Sequence, residues 1–124
     1  MEDSSIWYES VVVAGSKLGR TLGFPTANLD ATVLTHVTQE GVYAANVRLR
    51  GQTYTGALYL GPRLVLNETK RVLEIFVLDF EGDLYGQTLE FQLGTFVRGT
   101  MDFDSFDALI AQLETDVATI RAAA

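Results

Sequence analysis

There is no cysteine in this chain of 124 residues. Disulfides, thiolate metal sites and cysteine nucleophiles are therefore excluded, and the lack of disulfides fits a cytoplasmic protein. Histidine occurs once, as His36. A single imidazole with no cysteine and no adjacent acidic cluster is poor material for a zinc site or a nucleophile–base pair. Lysine and arginine together number 9 against 16 acidic residues, a formal net charge of −7. That balance argues against duplex nucleic acid, where lysine and arginine must displace counterions from phosphates, and against an anionic membrane surface. It leaves room for a nucleotide, which needs a few local cations and backbone N–H groups. No apolar run approaches the ~20 residues of a membrane span. Met1 to Tyr8 lack the basic-then-apolar order of a secretory signal.

What remains is enough for one core: 48% of the residues are hydrophobic, and the length suits one domain, residues 1–124. Residues 1–9 read as an N-terminal extension. Val11-Val12-Val13 is a short β-branched strand. Residues 15–29 read as a loop, with Gly15, Gly19 and Gly23 every fourth residue and Pro25 closing the series. Residues 30–40 are polar and without period, again a loop. Residues 41–50 and 52–60 pattern as two strands with Gly51 at the hairpin between them. Residues 61–71 read as a loop with a basic end. Residues 72–80 are the most strand-like stretch, Glu81-Gly82-Asp83 a turn, Leu84 to Gly86 the start of the return, and 87–97 a further strand.

The period changes after Arg98. Phe106, Leu109, Ile110, Leu113, Val117 and Ile120 form one apolar stripe on a helix over 104–121, with Asp104 as N-cap and Asp107 in the capping-box position. Strands joined by hairpin-length connections and followed by one helix predict an antiparallel sheet closed as a barrel over residues 10–98, its open side covered by the helix.

Three places could carry chemistry. In Gly15-Ser16-Lys17-Leu18-Gly19-Arg20-Thr21-Leu22-Gly23, glycines would let backbone N–H groups approach an anion, with Lys17 and Arg20 adding charge. No Gly-Lys-Ser/Thr ends it, so it is not a P-loop, and spacing alone leaves an ordinary glycine-rich surface connection equally open. In Pro25-Thr26-Ala27-Asn28, Thr26 and Asn28 alternate along an extended segment and offer neutral oxygens suited to Mg²⁺; a proline turn whose side chains cap local backbone is the plainer alternative. Glu74 has large apolar neighbours on both parities of its strand. It lies at a barrel rim, in a pocket where burial would make it a better proton acceptor, or at a solvated edge position.

The segment VVVAGSKLGRTLGFPTANL resembles the signature of the riboflavin kinase domain, which occurs alone in eukaryotes and as the C-terminal half of bacterial bifunctional kinase/FAD synthetases. GVYAANV, YTGALYLG, LEIFVLDFEGDLYGQTLEF, FVRGTMDF and the final helix follow in the family's order over residues 10–121. The resemblance implies a mainly β fold, a six-stranded antiparallel Greek-key (split) β-barrel with one C-terminal α-helix. It implies ATP:riboflavin phosphotransfer, with FMN and ADP as products and Mg²⁺ or another divalent cation as cofactor. Gly15, Lys17, Gly19, Arg20, Gly23, Pro25 and Thr26 would wrap the ATP phosphates. Thr26 and Asn28 would bind the metal, with Asn28 beside the reacting phosphoryl group. Glu74 would be the general base, and Arg98, Tyr85 and Phe103 would lie at the flavin. Partners would be small-molecule substrates, with no nucleic acid and no membrane, plus an FAD synthetase domain if the chain is excised from a bifunctional enzyme. The chain departs from the family pattern at Glu9-Ser10, at Gly61-Pro62-Arg63-Leu64, at Phe76 in place of a histidine and at Thr100 in place of an acidic residue. A barrel that binds flavin or nucleotide without catalysis is the alternative function.

Overall fold

The computed structural model describes residues 5–14 and 23–123. Six strands run in chain order: β1 (Tyr8–Val11), β2 (Ala27–Leu29), β3 (Gly41–Leu49), β4 (Gln52–Pro62), β5 (Arg71–Val77) and β6 (Thr88–Gly99). Helix α1 (Phe106–Ala123) follows them. The sheet order is β1-β6-β3-β4-β5-β2, with every neighbouring pair antiparallel. Strands β3, β4 and β5 follow one another and β6 returns beside β3, the Greek-key order. The two edges nearly meet: Val13 N–H donates to Asn28 O at 2.8 Å, one antiparallel bridge between the chain after β1 and strand β2. The expected barrel with its C-terminal helix is the fold observed.

Alternation along the strands makes the interior. On β5, Leu73, Ile75 and Val77 point inward and join Leu34, Val47, Leu58, Leu60, Leu89, Phe91 and Leu93 in one buried cluster. Each such side chain, fully buried, contributes about 1.5–3 kcal/mol. A smaller cluster lies outside the barrel, where Val42, Leu78 and Ile120 are buried among Ala57, Tyr59, Phe76 and Val117. It glues α1 to the outer face of β4 and β6. Strand β5 is thus covered on both faces, which is why Glu74 has apolar neighbours of both parities.

Several boundaries differ from the sequence reading. Strand β1 begins at Tyr8, inside the expected extension 1–9, because the Tyr8 ring stacks on Phe91 across the β1–β6 pairing, with centroids 5.4 Å apart. Ala27–Leu29 is a strand rather than loop, held by β5 at Ala27↔Ile75, Asn28↔Glu74 and Leu29↔Leu73. Within 30–40, residues Ala31–Leu34 form a 3₁₀ turn capped by Asp30, whose carboxylate accepts from Thr32 N–H. Arg71 pins this region by donating to the Leu34 and Val37 carbonyls and to Glu40.

Strand β5 stops at Val77, not Phe80, since Asp79 turns the chain with φ 60°. Leu84 to Gly86 belong to that turn rather than to the return strand: Asp83 Oδ1 accepts from Tyr85 N–H at 2.9 Å. The β3–β4 hairpin turns on Arg50 and Gly51, both with positive φ, as the twist of a two-residue hairpin requires. Helix α1 starts two residues later than expected. Ser105, not Asp104, is its N-cap, with Ser105 Oγ accepting from Ala108 N–H at 3.1 Å. Asp107 then sits in the first turn, favourable to the helix dipole but outside a capping box.

Candidate active site

The site grows from the β2–β5 pairing. Asn28 and Glu74 are directly opposed partners. Ala27 and Leu29 are buried in the barrel, so Asn28 faces the other way, on the side of β5 that carries Glu74. Thr26, two residues before Asn28, reaches the same face, where its hydroxyl donates to Glu74 Oε1 at 2.7 Å. The other carboxylate oxygen, Oε2, accepts from Arg63 Nε at 3.2 Å. Arg63 Nη2 donates to Asn28 Oδ1 at 2.9 Å, and Nη1 to Glu68 Oε1 at 3.1 Å. The side chains of Arg63 and Glu74 are each 14% exposed, so these bonds are little screened by water. One guanidinium faces two carboxylates, which leaves the cluster an excess of negative charge. Hydroxyl, amide and carboxylate oxygens on one face make a donor set that fits a hard divalent cation. Among the described residues no group of three or more His, Cys, Asp and Glu is arranged to hold a metal, so phosphate oxygens and water would have to complete the shell.

Two depressions meet at Thr26, which lines both. The first lies between the barrel and α1, walled by Tyr59, Phe76, Phe103, Leu113 and Val117, with Glu74 and Arg98 at its edge. The helix stripe Leu109, Leu113 and Val117 is only partly buried because it forms one wall of this slot. Across it, Arg98 is clamped by Asp116, with Nε 3.0 Å from Oδ1 and Nη2 2.9 Å from Oδ2. Gln112 donates to the same carboxylate. Asp116 is 2% exposed, so this bidentate pair is an internal strut between β6 and α1. The start of β3 packs against that strut's backbone. A Cβ at Gly41 would lie 2.0 Å from the Arg98 carbonyl oxygen. Burial pushes the Tyr59 phenol up to about 12, and its hydroxyl donates to the Pro62 carbonyl. The second depression is lined by Val13, Pro25 and Asn28 on one side and by the turn Glu81–Tyr85 on the other.

Of the expected site residues, Thr26, Asn28 and Glu74 come together. Pro25 and Thr26 line the second depression, and Gly23, two residues before Pro25, has φ 90°. Gly15, Lys17, Gly19 and Arg20 lie outside the described residues. Arg98 and Phe103 share the first slot, but Tyr85 does not. It is 65% exposed on the rim of the second depression, because the Glu81–Gly86 turn folds to the β2 side. The expected flavin trio is therefore not one cluster. Arg63 was missed. It is a charged residue set among Pro62, Leu64, Val65 and Leu66, a placement that itself signals a need for partners.

Residues 3–124 match the family model described as "Flavokinase: Riboflavin kinase". The chain belongs to the riboflavin kinase family. A bifunctional riboflavin kinase/FMN adenylyltransferase of Haemophilus influenzae is 40% identical over 112 residues, covering 90% of this chain and 36% of that protein. An RNA-binding riboflavin kinase of Bacillus subtilis is 36% identical, over 88% of this chain and 47% of that protein. The crystal structure of riboflavin kinase from Trypanosoma brucei superposes with a TM-score of 0.65 at 25% identity, covering 94% of this chain and 77% of that one. The chain thus spans about a third of the length of the bifunctional relative.

The departures from the family pattern are each accommodated locally. Ser10 is buried and its hydroxyl takes the Asp30 N–H at 3.0 Å. Phe76 meets Phe24 edge-on at 5.5 Å. Thr100 packs beside Gly61. Among the described residues no helix is long and apolar enough to cross a membrane.

Proposed function

We propose that this riboflavin kinase family member transfers the γ-phosphate of ATP to the 5′-hydroxyl of riboflavin, giving FMN and ADP, with Mg²⁺ or another divalent cation. One observation carries the reading: Glu74, Thr26 and Asn28 share one face at the junction of an apolar slot and a second, more polar depression. The slot offers aromatic and aliphatic walls to the isoalloxazine ring, and the second depression takes the nucleotide phosphates. Thr26 and Asn28 would hold the metal, which would neutralise charge on the transferring phosphoryl group.

The Thr26 hydroxyl has two roles. While it donates to Glu74 Oε1 it occupies the oxygen that a base must present. Once it turns to phosphate, that oxygen is free to accept from the riboflavin hydroxyl. The proton then passes to Glu74, the new O–Pγ bond forms, and the bond from Pγ to the bridging oxygen breaks to release ADP. We assign the kinase step alone to these residues. FMN is the substrate that an adenylyltransferase module, of the kind the bifunctional relatives are named for, would consume.

The test is chromatography of a mixture of the pure chain with riboflavin, ATP and Mg²⁺. FMN that appears only when all three are present supports the kinase. Flavin bound without ATP consumption would mean a binding barrel instead.

A further inference from the structure

Arg63 opens the connection between β4 and β5, at the N-terminal edge of the 3₁₀ turn Leu64–Leu66. All three of its guanidinium nitrogens are committed, to Asn28 Oδ1, Glu74 Oε2 and Glu68 Oε1. One of these acceptors, Asn28 Oδ1, is a group assigned to the metal, and the Glu74 carboxylate on the same face would attract a cation to it. A planar fork bonded to both covers the gap between them with one positive charge, and a second cation entering there meets both repulsion and competition for the same lone pairs. Glu68 stands apart from the other two. Its side chain is 40% exposed, and its backbone N–H donates to the Arg63 carbonyl at 3.2 Å, so it belongs to the same turn as Arg63. It can keep the guanidinium charge compensated when Asn28 and Glu74 let go.

We propose that Arg63 is a positioning residue that acts as an internal competitor of the divalent cation. It holds Asn28 and Glu74 against free metal. The metal therefore enters with the nucleotide, whose phosphates bring the extra negative charge and the extra oxygen ligands needed to displace the guanidinium. This inference rests on the assignment of Thr26 and Asn28 to the metal.

The experiment is a titration with Mn²⁺, followed by electron paramagnetic resonance of the free ion, with and without ADP. The wild-type chain should bind Mn²⁺ weakly alone and well with ADP. Arg63→Met keeps an apolar stem and loses the charge; its affinity for Mn²⁺ without ADP should rise by about tenfold or more. An unchanged affinity in a folded Arg63→Met chain, while the wild type binds Mn²⁺ with ADP, overturns the inference and leaves the metal assignment standing. No Mn²⁺ bound by the wild type even with ADP overturns both. If Arg63→Met does not fold, the wild-type chain gives the answer. The Arg63 Nε–H signal in nuclear magnetic resonance should exchange slowly in the free chain because of its bond to Glu74, and should lose that protection on addition of Mg²⁺ and ADP. Unchanged protection sinks the proposal.

Discussion

At the scale of single residues, the proposed chemistry depends on who holds each oxygen of Glu74. Glu74→Gln keeps the shape and can still accept from Thr26, but it cannot take a proton. Turnover should fall by about 10²–10⁴-fold with the circular dichroism spectrum unchanged; full activity would remove Glu74 from the base role. Thr26→Val deletes the hydroxyl that donates to Glu74 and that we propose turns to phosphate, and should depress both turnover and nucleotide affinity, whereas Thr26→Ser should retain much of each in steady-state kinetics. Tyr59 gives a pH-dependent reading. Its phenol is raised to about 12 by burial, so the folded chain holds that proton where the unfolded chain releases it. Its contribution to stability is complete below the ordinary phenol range and is lost as pH rises from there through about 12. Denaturation midpoints in alkali should fall over that window, and less so in Tyr59→Phe. Thr26 and Asn28 were legible because alternation on an extended segment fixes which side chains share a face. Arg63 was not, since its partners lie 35 and 11 positions away in sequence and meet it only through strand pairing.

At the scale of elements, α1 is fastened to the barrel at one charged strut and one apolar seam. Asp116→Ala would leave Arg98 partly buried without its counter-charge and should cost about 3–5 kcal/mol, measured by urea denaturation. The slot beneath the helix should loosen with it, so riboflavin affinity should drop in the same variant. Ser105→Ala removes the N-cap and should cost about 0.5–2 kcal/mol. The helix was readable because its stripe repeats over four turns. Its N-cap was misplaced by one residue because Asp104 and Ser105 are both good caps and only the hydrogen bond from Ala108 distinguishes them. Strand β2 escaped notice for a different reason. Ala27–Leu29 is too short for its alternation to mark a paired strand, and its strand character comes from β5 alongside it.

At the scale of the whole molecule, surface charge contributes to the acid limit. The Arg121 guanidinium bonded to Asp79 holds that carboxyl below the usual carboxylate range, and bonds from Thr32 do the same for Asp30. Both depressed groups stabilise the fold above the ordinary carboxyl range, and that contribution is lost as pH falls through it. Thermal midpoints should therefore decline on acidification, with a shallower slope in Asp79→Asn. The overall architecture, the closed barrel included, was legible from strand patterning and the one helix, while the contact that closes it was not, because it joins residues 15 positions apart that no local period announces. That closure sets an order of failure. Asn28 belongs to the shortest strand and is also the residue whose carbonyl seals the barrel through Val13. Gentle heating that parts this seam would disarrange Thr26, Asn28 and Glu74 while β3 to β6 and their core still hold. The proposed kinase activity should be lost some degrees before the fold melts, and a stored sample could look sound by spectroscopy after that activity has gone.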